Sequence, residues 1–387
     1  MKLARRMQSL PPYLFAELDR KKREAESRGM EVIAFTMGDP DLPTPEPIVQ
    51  AAQRAVTVPA NHRYPPYPGT LSFRKTAARW LERRFGVRLD AEKNVLALIG
   101  SKEGIAHLSL VMLEPGDVAL CPDPGYPVYA ISARLAGAEV HYLPLLEKNN
   151  FWPDLGAVPP EILKRAKLLW LCYPNNPTAA VADRQQLKQA VAFCRQHDIL
   201  LCYDAAYSEV VLEGEPSPSI LEIDGALNCA VEFHSHSKTY NMTGWRVGFA
   251  AGNEKIIKAL ADLKSNLDSG VFGAVQQAAE YALESWPQFM GGILDAYRRR
   301  RDELCAGLKR LGFDARPPRA TFYVWMPVPG GDDVAFATKL IEKAGVLVTP
   351  GSGFGQAGRG YVRLVLTQGR VKEALERLEK AGIRGQS

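Results

Sequence analysis

The stretch from Asn94 to Asn253 alternates between two textures. Short apolar runs ("NVLALIG", "DVALCP", "EVHYLPL", "KLLWLCY", "ILLCYD", "AVEFHSHS" and "VGFAAG") are separated by longer segments such as "SKEGIAHLSLVML", "YPVYAISARLAGA" and "RQQLKQAVAFCRQHD". The short runs are mostly apolar and read as strands of a sheet covered by helices. The longer segments carry apolar residues at helical spacing and face one side only. Strands of this kind, bounded by Gly, Pro and Asp and joined through helices, form a largely parallel sheet. The expected fold is therefore α/β, with a mostly parallel seven-stranded sheet sandwiched by helices.

The texture then changes. "NEKIIKALADLKSNLDSG", "VQQAAEYALES" and "GILDAYRRRRDELCAGLKRLG" read as consecutive helices. After them "TFYVWMPV", "VLVTPG" and "YVRLVLT" read as strands, with "DVAFATKLIEKAG" and "GRVKEALERLEKAG" as helices. This end of the chain is expected to form a smaller α+β domain, joined by the N-terminal segment that ends in the Pro-rich "GDPDLPTPEP". The expected division is 46–285 for the large domain, and 1–45 with 286–387 for the small domain and its N-terminal arm. With 387 residues there is material for two such units.

Bulk properties narrow the function. The net charge of +5 is mild for this length, and 46% hydrophobic content is ordinary for a globular chain. Basic residues cluster at Lys21, Lys22 and Arg23 and again over Arg298–Arg301. With acids nearby, both read as solvated helix faces rather than a nucleic-acid footprint. Six cysteines show no C-x-x-C spacing and several fall in apolar runs, which suits buried free thiols in a reducing compartment. "MKLARRMQSLPPYLF" lacks a continuous apolar stretch, and no run approaches 18 apolar residues. A cytoplasmic protein without membrane spans is expected.

In a parallel α/β sheet, ligands gather beyond the carboxyl ends of the strands. The conspicuous polar residues fall at such ends. Gly100 and Ser101 follow "NVLALI" and open a helix, Asn176 and Pro177 follow "KLLWLCYPN", Asp204 ends "ILLCYD", and Ser235, Ser237 and Lys238 follow "AVEFH". Singly, each has a plain reading as a cap, turn or surface residue. Together they supply an anion-binding helix start, an amide, a carboxylate and a lysine. An aldehyde cofactor carrying a phosphate needs that combination.

The motifs "YPPYPGTLSFR", "GSKEG", "DPGYPVY", "YPNNPT", "YDAAYSE", "SHSKTYNMTGWRVGF" and "YVRL", in this order from Tyr64 to Leu364, resemble the class I/II aminotransferases of the fold-type-I pyridoxal-phosphate enzymes. The resemblance implies a cytoplasmic homodimer that moves an amino group between an amino acid and a 2-oxo acid by a ping-pong mechanism. It implies pyridoxal 5'-phosphate as cofactor, no metal, and no nucleic-acid or membrane partner. Lys238 corresponds to the lysine that attaches to the cofactor aldehyde and serves as acid/base. Asp204 corresponds to the carboxylate at the ring nitrogen, and Asn176 and Tyr207 to the groups at the ring oxygen. Ser101 and Lys102, with Ser235 and Arg246, correspond to the phosphate cradle, and Tyr126 to the stacking aromatic. Gly38, Asn176 and Arg363 correspond to substrate contacts, Arg363 as the clamp on the α-carboxylate. Tyr64 corresponds to the tyrosine that reaches the neighbouring subunit's phosphate, with Tyr67 second in rank. One departure stands out: relatives often carry N-P-T-G, whereas this chain reads "NPTAA", with Ala179 at the glycine position.

"GSKEGIAHL", "KSNLDSGVF" and "PGSGFG" resemble the LL-diaminopimelate aminotransferase branch, which implies a place in lysine biosynthesis. The aspartate and alanine branches are close in texture, and a β- or C–S lyase would use the same lysine and aspartate. Lys102 could meet a distal substrate carboxylate, and Asn266, Asp268 and Ser269 could line the pocket. A DNA-binding regulator would need an attached helix-turn-helix, which the first 45 residues lack.

Overall fold

The computed structural model describes residues 1–385 except Lys2, Ser9 and 11–13, with the backbone alone for Arg5 and 14–17. Part of the N-terminal stretch read above for a leader thus lies outside the described residues. Eleven strands occur among them: β1 (Ile33–Phe35), β2 (Val95–Leu98), β3 (Val118–Asp123), β4 (Glu139–Pro144), β5 (Ala166–Cys172), β6 (Leu200–Asp204), β7 (Ala230–Ser235), β8 (Gly248–Gly252), β9 (Tyr323–Pro327), β10 (Val346–Pro350) and β11 (Tyr361–Val365).

Seven of them form one sheet in the order β2-β8-β7-β6-β5-β3-β4. All run parallel except β8, which is antiparallel to both β2 and β7. The apolar runs are explained by burial on both faces. Along β5, Leu168, Trp170 and Cys172 join one hydrophobic cluster, while Leu169 and Leu171 join the other. β6 divides the same way, with Leu200 and Cys202 on one side and Leu201 and Tyr203 on the other. The first cluster packs beneath helices Ser101–Met112 and Glu254–Leu267. The second packs beneath Leu71–Phe85, Arg184–His197 and Gly273–Glu284. A side chain alternating between two dry layers must be apolar at every position.

Four strands make a second sheet in the order β1-β10-β11-β9. β1 pairs in parallel with β10, Ile33 opposite Val346, so a segment near the start of the chain completes a sheet otherwise built from its last third.

The reading of Arg298–Arg301 as a solvated face is corrected. Arg298 donates from Nε to the Leu212 carbonyl at 2.8 Å, and Arg300 grips Asp41 with two nitrogens at 2.7 and 2.8 Å. Arg301 is buried, facing Glu213 and the Pro318 carbonyl. Only Arg299 of the four is exposed. Helix Met290–Arg310 runs between chain segments, so its basic face finds acceptors on other elements before it finds water.

Candidate active site

Register explains why distant residues meet. Gly248 opens β8 and pairs with Leu98 of β2 on one side and Ser235 of β7 on the other. The carboxyl ends of β2 and β7 therefore flank Gly248 at one level, one leading into Ser101 and the other ending at Ser235. Space at this junction is tight. A Cβ at Gly248 would lie 2.5 Å from the His234 carbonyl and 3.2 Å from the Ser101 nitrogen. Gly100, at φ 73°, caps the helix that starts at Ser101, and a Cβ there would meet the Arg246 guanidinium at 2.4 Å. Arg246 is held by a hydrogen bond from Nη1 to the Thr243 carbonyl at 2.8 Å. A helix N-terminus, a serine and a guanidinium thus converge, which is a cradle for an anion.

At the other end stands Asp204. It ends β6, is buried, and accepts the Tyr129 hydroxyl at 2.6 Å and the Ala206 N–H at 3.2 Å. Burial pushes its carboxyl upward, opposed by those two donors. Tyr129 in turn stacks on Trp170, ring centroids 4.9 Å apart. A buried carboxylate with one open side is prepared for a cationic N–H.

Lys238 lies between. Its Nζ donates to the Gly38 carbonyl at 2.7 Å. Burial takes its pKa down from 10.5 to about 8; Arg246 and Arg363 push the same way, while Asp39 and Asp204 oppose. An amine near 8 keeps a usable unprotonated fraction at neutral pH. Gly38 itself is pressed on Tyr323, whose hydroxyl would lie 2.1 Å from a Cβ.

Arg363 completes the arrangement from the second sheet. It is fully buried, donates from Nη1 to Asn176 Oδ1 at 2.7 Å and from Nη2 to the Thr36 carbonyl at 2.6 Å, and lies over the rings of Tyr323 and Phe354 at 4.3 and 4.6 Å. The Tyr207 and Tyr323 hydroxyls are 2.7 Å apart.

These groups share one pocket of about 430 Å³, whose wall includes Gly38, Ser101, Lys102, Tyr126, Asn176, Asp204, Tyr207, Ser235, Lys238, Arg246 and Arg363. Tyr64 is not on it: it is 85% exposed, and Tyr67 is 45% exposed. Nor are Asn266, Asp268 and Ser269 on this chain's wall. The Asn266 amide donates to the Asp262 carbonyl, and Asp268 is paired with Lys264. Ala179 keeps the turn, its N–H donating to the Asn175 carbonyl at 2.9 Å, but at a left-handed φ of 60° that glycine would occupy at lower cost. A larger groove of about 1290 Å³ lies elsewhere, and Arg84, Arg184 and Arg316 on its wall each already hold a carboxylate.

The sequence reading missed Tyr129, Tyr323 and Asp39, all on the pocket wall. Tyr129 had a signal, since it lies three residues after Tyr126 inside "DPGYPVY". Tyr323 had none, because its partners Gly38 and Tyr207 are distant in sequence.

The family model for aminotransferase class I and II matches residues 30–378. The chain is 51% identical over 368 residues to an LL-diaminopimelate aminotransferase of Dehalococcoides mccartyi, covering 95% of each chain. It is 49% identical to the protein of that name from Moorella thermoacetica, covering 98% of each. Among solved structures it superposes on a substrate-bound BacF from Bacillus subtilis with a TM-score of 0.95, at 37% identity over the whole of both chains. It superposes on a variant aspartate aminotransferase of Thermus thermophilus with a TM-score of 0.92, at 32% identity over 98% of this chain and 100% of that one. The match spans both sheets and every element that feeds the pocket, and the chain therefore belongs to the class I and II aminotransferases.

Proposed function

We propose that this enzyme uses pyridoxal 5'-phosphate to interconvert tetrahydrodipicolinate, glutamate and water with LL-diaminopimelate and 2-oxoglutarate. The observation that carries the substrate is the identity of about half, over nearly full length, to several proteins named for that activity. The residues fit the cofactor. An anion cradle and a buried carboxylate stand at opposite ends of one pocket, with an amine of lowered pKa between them. When bound, the cofactor supplies an aldehyde carbon for amine exchange and a cationic ring that withdraws electrons from the substrate α-carbon.

The chain's own groups divide the remaining work. Ser235, Arg246 and the N–H groups that open helix Ser101–Met112 would hold the phosphate. Asp204 would keep the proton on the ring nitrogen, with Tyr129 fixing the carboxylate. Asn176 offers its amide N–H to the ring oxygen because its Oδ1 is engaged by Arg363; Tyr207 would be the second donor. Tyr126 would cover the ring. Arg363 would take the α-carboxylate in a two-pronged grip, and Lys238 Nζ would carry the α-proton.

The reading extends to a homodimer. Val56, Val58, Tyr64, Tyr67, Leu267 and Phe272 are all exposed. The loops that bear them adjoin, with Gly270 close to Pro65 and the Tyr67 carbonyl. A second copy seated there would cover apolar surface and receive Tyr64 at its own cradle. The large and small domains are assigned to 46–285 and to 1–45 with 286–387. The six free thiols support a cytoplasmic setting.

Purified enzyme given LL-diaminopimelate and 2-oxoglutarate should form glutamate, faster than with alanine or aspartate as donor. The substrate assignment fails if LL-diaminopimelate yields none while alanine or aspartate does.

A further inference from the structure

Asp123 ends β3 and is 6% exposed, yet it is not on the pocket wall. Its carboxylate faces the loop after β10. Oδ2 accepts the Gln356 N–H at 3.1 Å, and Oδ1 accepts the Ala357 N–H at 3.0 Å. A third bond runs the other way, from the Gly125 N–H to the Phe354 carbonyl at 2.9 Å. Gly355, at φ 139°, makes the approach possible: a Cβ there would lie 2.0 Å from Asp123 Oδ1. Successive N–H groups aimed at one buried carboxylate form an anion nest, and here the anion comes from the other sheet.

What the two sides carry gives the contact its meaning. The turn after Asp123 bears Tyr126, which lines the pocket. The loop bears Phe354, whose ring lies 4.6 Å from the Arg363 guanidinium. The far side of the loop is braced separately, by the Ser352 N–H donating to Asp333 Oδ2 at 2.7 Å. The loop is therefore stretched between two carboxylates, one from helix Asp333–Ala344 and one from β3 of the large sheet.

We propose that Asp123 is a positioning residue for substrate binding: it latches loop 351–357 to turn 123–126 and so sets Phe354 against Arg363 in register with Tyr126 of the same pocket. The inference rests on Arg363 as the carboxylate clamp. Asp123 touches neither substrate nor cofactor and acts through Phe354 and Tyr126.

Two substitutions test it in the holoenzyme, using whichever amino donor the wild type turns over. Asp123→Asn keeps the shape but turns an NH₂ toward one of two N–H donors. Gly355→Ala leaves the carboxylate and inserts a methyl group into the contact. Each should raise KM for the donor about tenfold or more, with kcat and the bound-cofactor spectrum nearly unchanged, because misplaced substrate contacts weaken binding before chemistry. The double variant should be no worse than the poorer single one, since both break one contact. Arg363→Lys separates the two levels. If it leaves KM unchanged, the clamp reading fails. If it raises KM while Asp123→Asn and Gly355→Ala do not, the latch is overturned. Should Asp123→Asn not fold, Gly355→Ala decides alone.

Discussion

Lys264 and Lys238 are withdrawn from solvent to different degrees and meet different partners. Lys264 is fully buried and its Nζ meets two carboxylates, Glu103 at 3.0 Å and Asp268 at 3.0 Å. Among the described residues Lys238 has no carboxylate in hydrogen-bonding contact; its amine rests on the Gly38 carbonyl, with Asp39 and Asp204 acting at longer range against two arginines of like charge. Lys264 is the more deeply buried of the two. The lack of a contacting carboxylate leaves the second amine open for the chemistry proposed above, while the first is committed to holding structure.

That contrast can be broken in graded ways. Lys238→Ala should lower turnover by about a thousandfold or more while leaving the melting temperature close to that of the wild type. A comparable loss of stability would make Lys238 structural. Lys264→Met should do the reverse. It strands two largely buried carboxylates and should cost about 3 kcal/mol in denaturant unfolding, with kcat of the folded enzyme within a few-fold. Glu103→Gln keeps an acceptor for the Ile99 N–H and leaves Lys264 one carboxylate, so a smaller loss of about 1 kcal/mol is expected. The smallest change concerns pH. Uptake of cofactor by the cofactor-free chain needs the unprotonated Lys238 amine, so its rate should rise with pH through a midpoint near 8 and level off above. Asp39 holds that midpoint up, so Asp39→Asn should move it down; an upward move would contradict the assigned electrostatics. Stability follows the same sign. A depressed lysine pKa means the unfolded chain binds more protons between about 8 and 10.5, so folding of the cofactor-free chain gains stability with rising pH across that window.

The large sheet was legible because its strands other than the edge strand β4 are buried on both faces, leaving apolar runs such as "LLWLC". Lys238, Asp204, Asn176 and Ser101 were legible because strand ends are marked by the abrupt return of polar residues. Contacts between elements were not. Tyr323 reaches Gly38 and Tyr207 across more than a hundred residues, and Arg300 finds Asp41 across 259. Lys264 sits in an ordinary amphipathic helix, where nothing local separates a buried lysine from a solvated one. Periodicity reports which face is dry, but not which partner waits there.

β8 is the only strand of the large sheet that runs against the rest, and its direction has a metric consequence. Because it runs backwards, its beginning, not its end, lies at the ligand-binding edge. Arg246 just precedes it, and Lys238 just follows β7, its hairpin partner. One hairpin therefore holds both the group proposed for the aldehyde carbon and the group proposed for the phosphate. Its ladder acts as a gauge for the molecule between them. A slip of two residues would shift Arg246 by about 7 Å and miss the phosphate, while a slip of one would turn the side chains to the opposite face. On the proposed assignment, the length of the cofactor is written into a strand register.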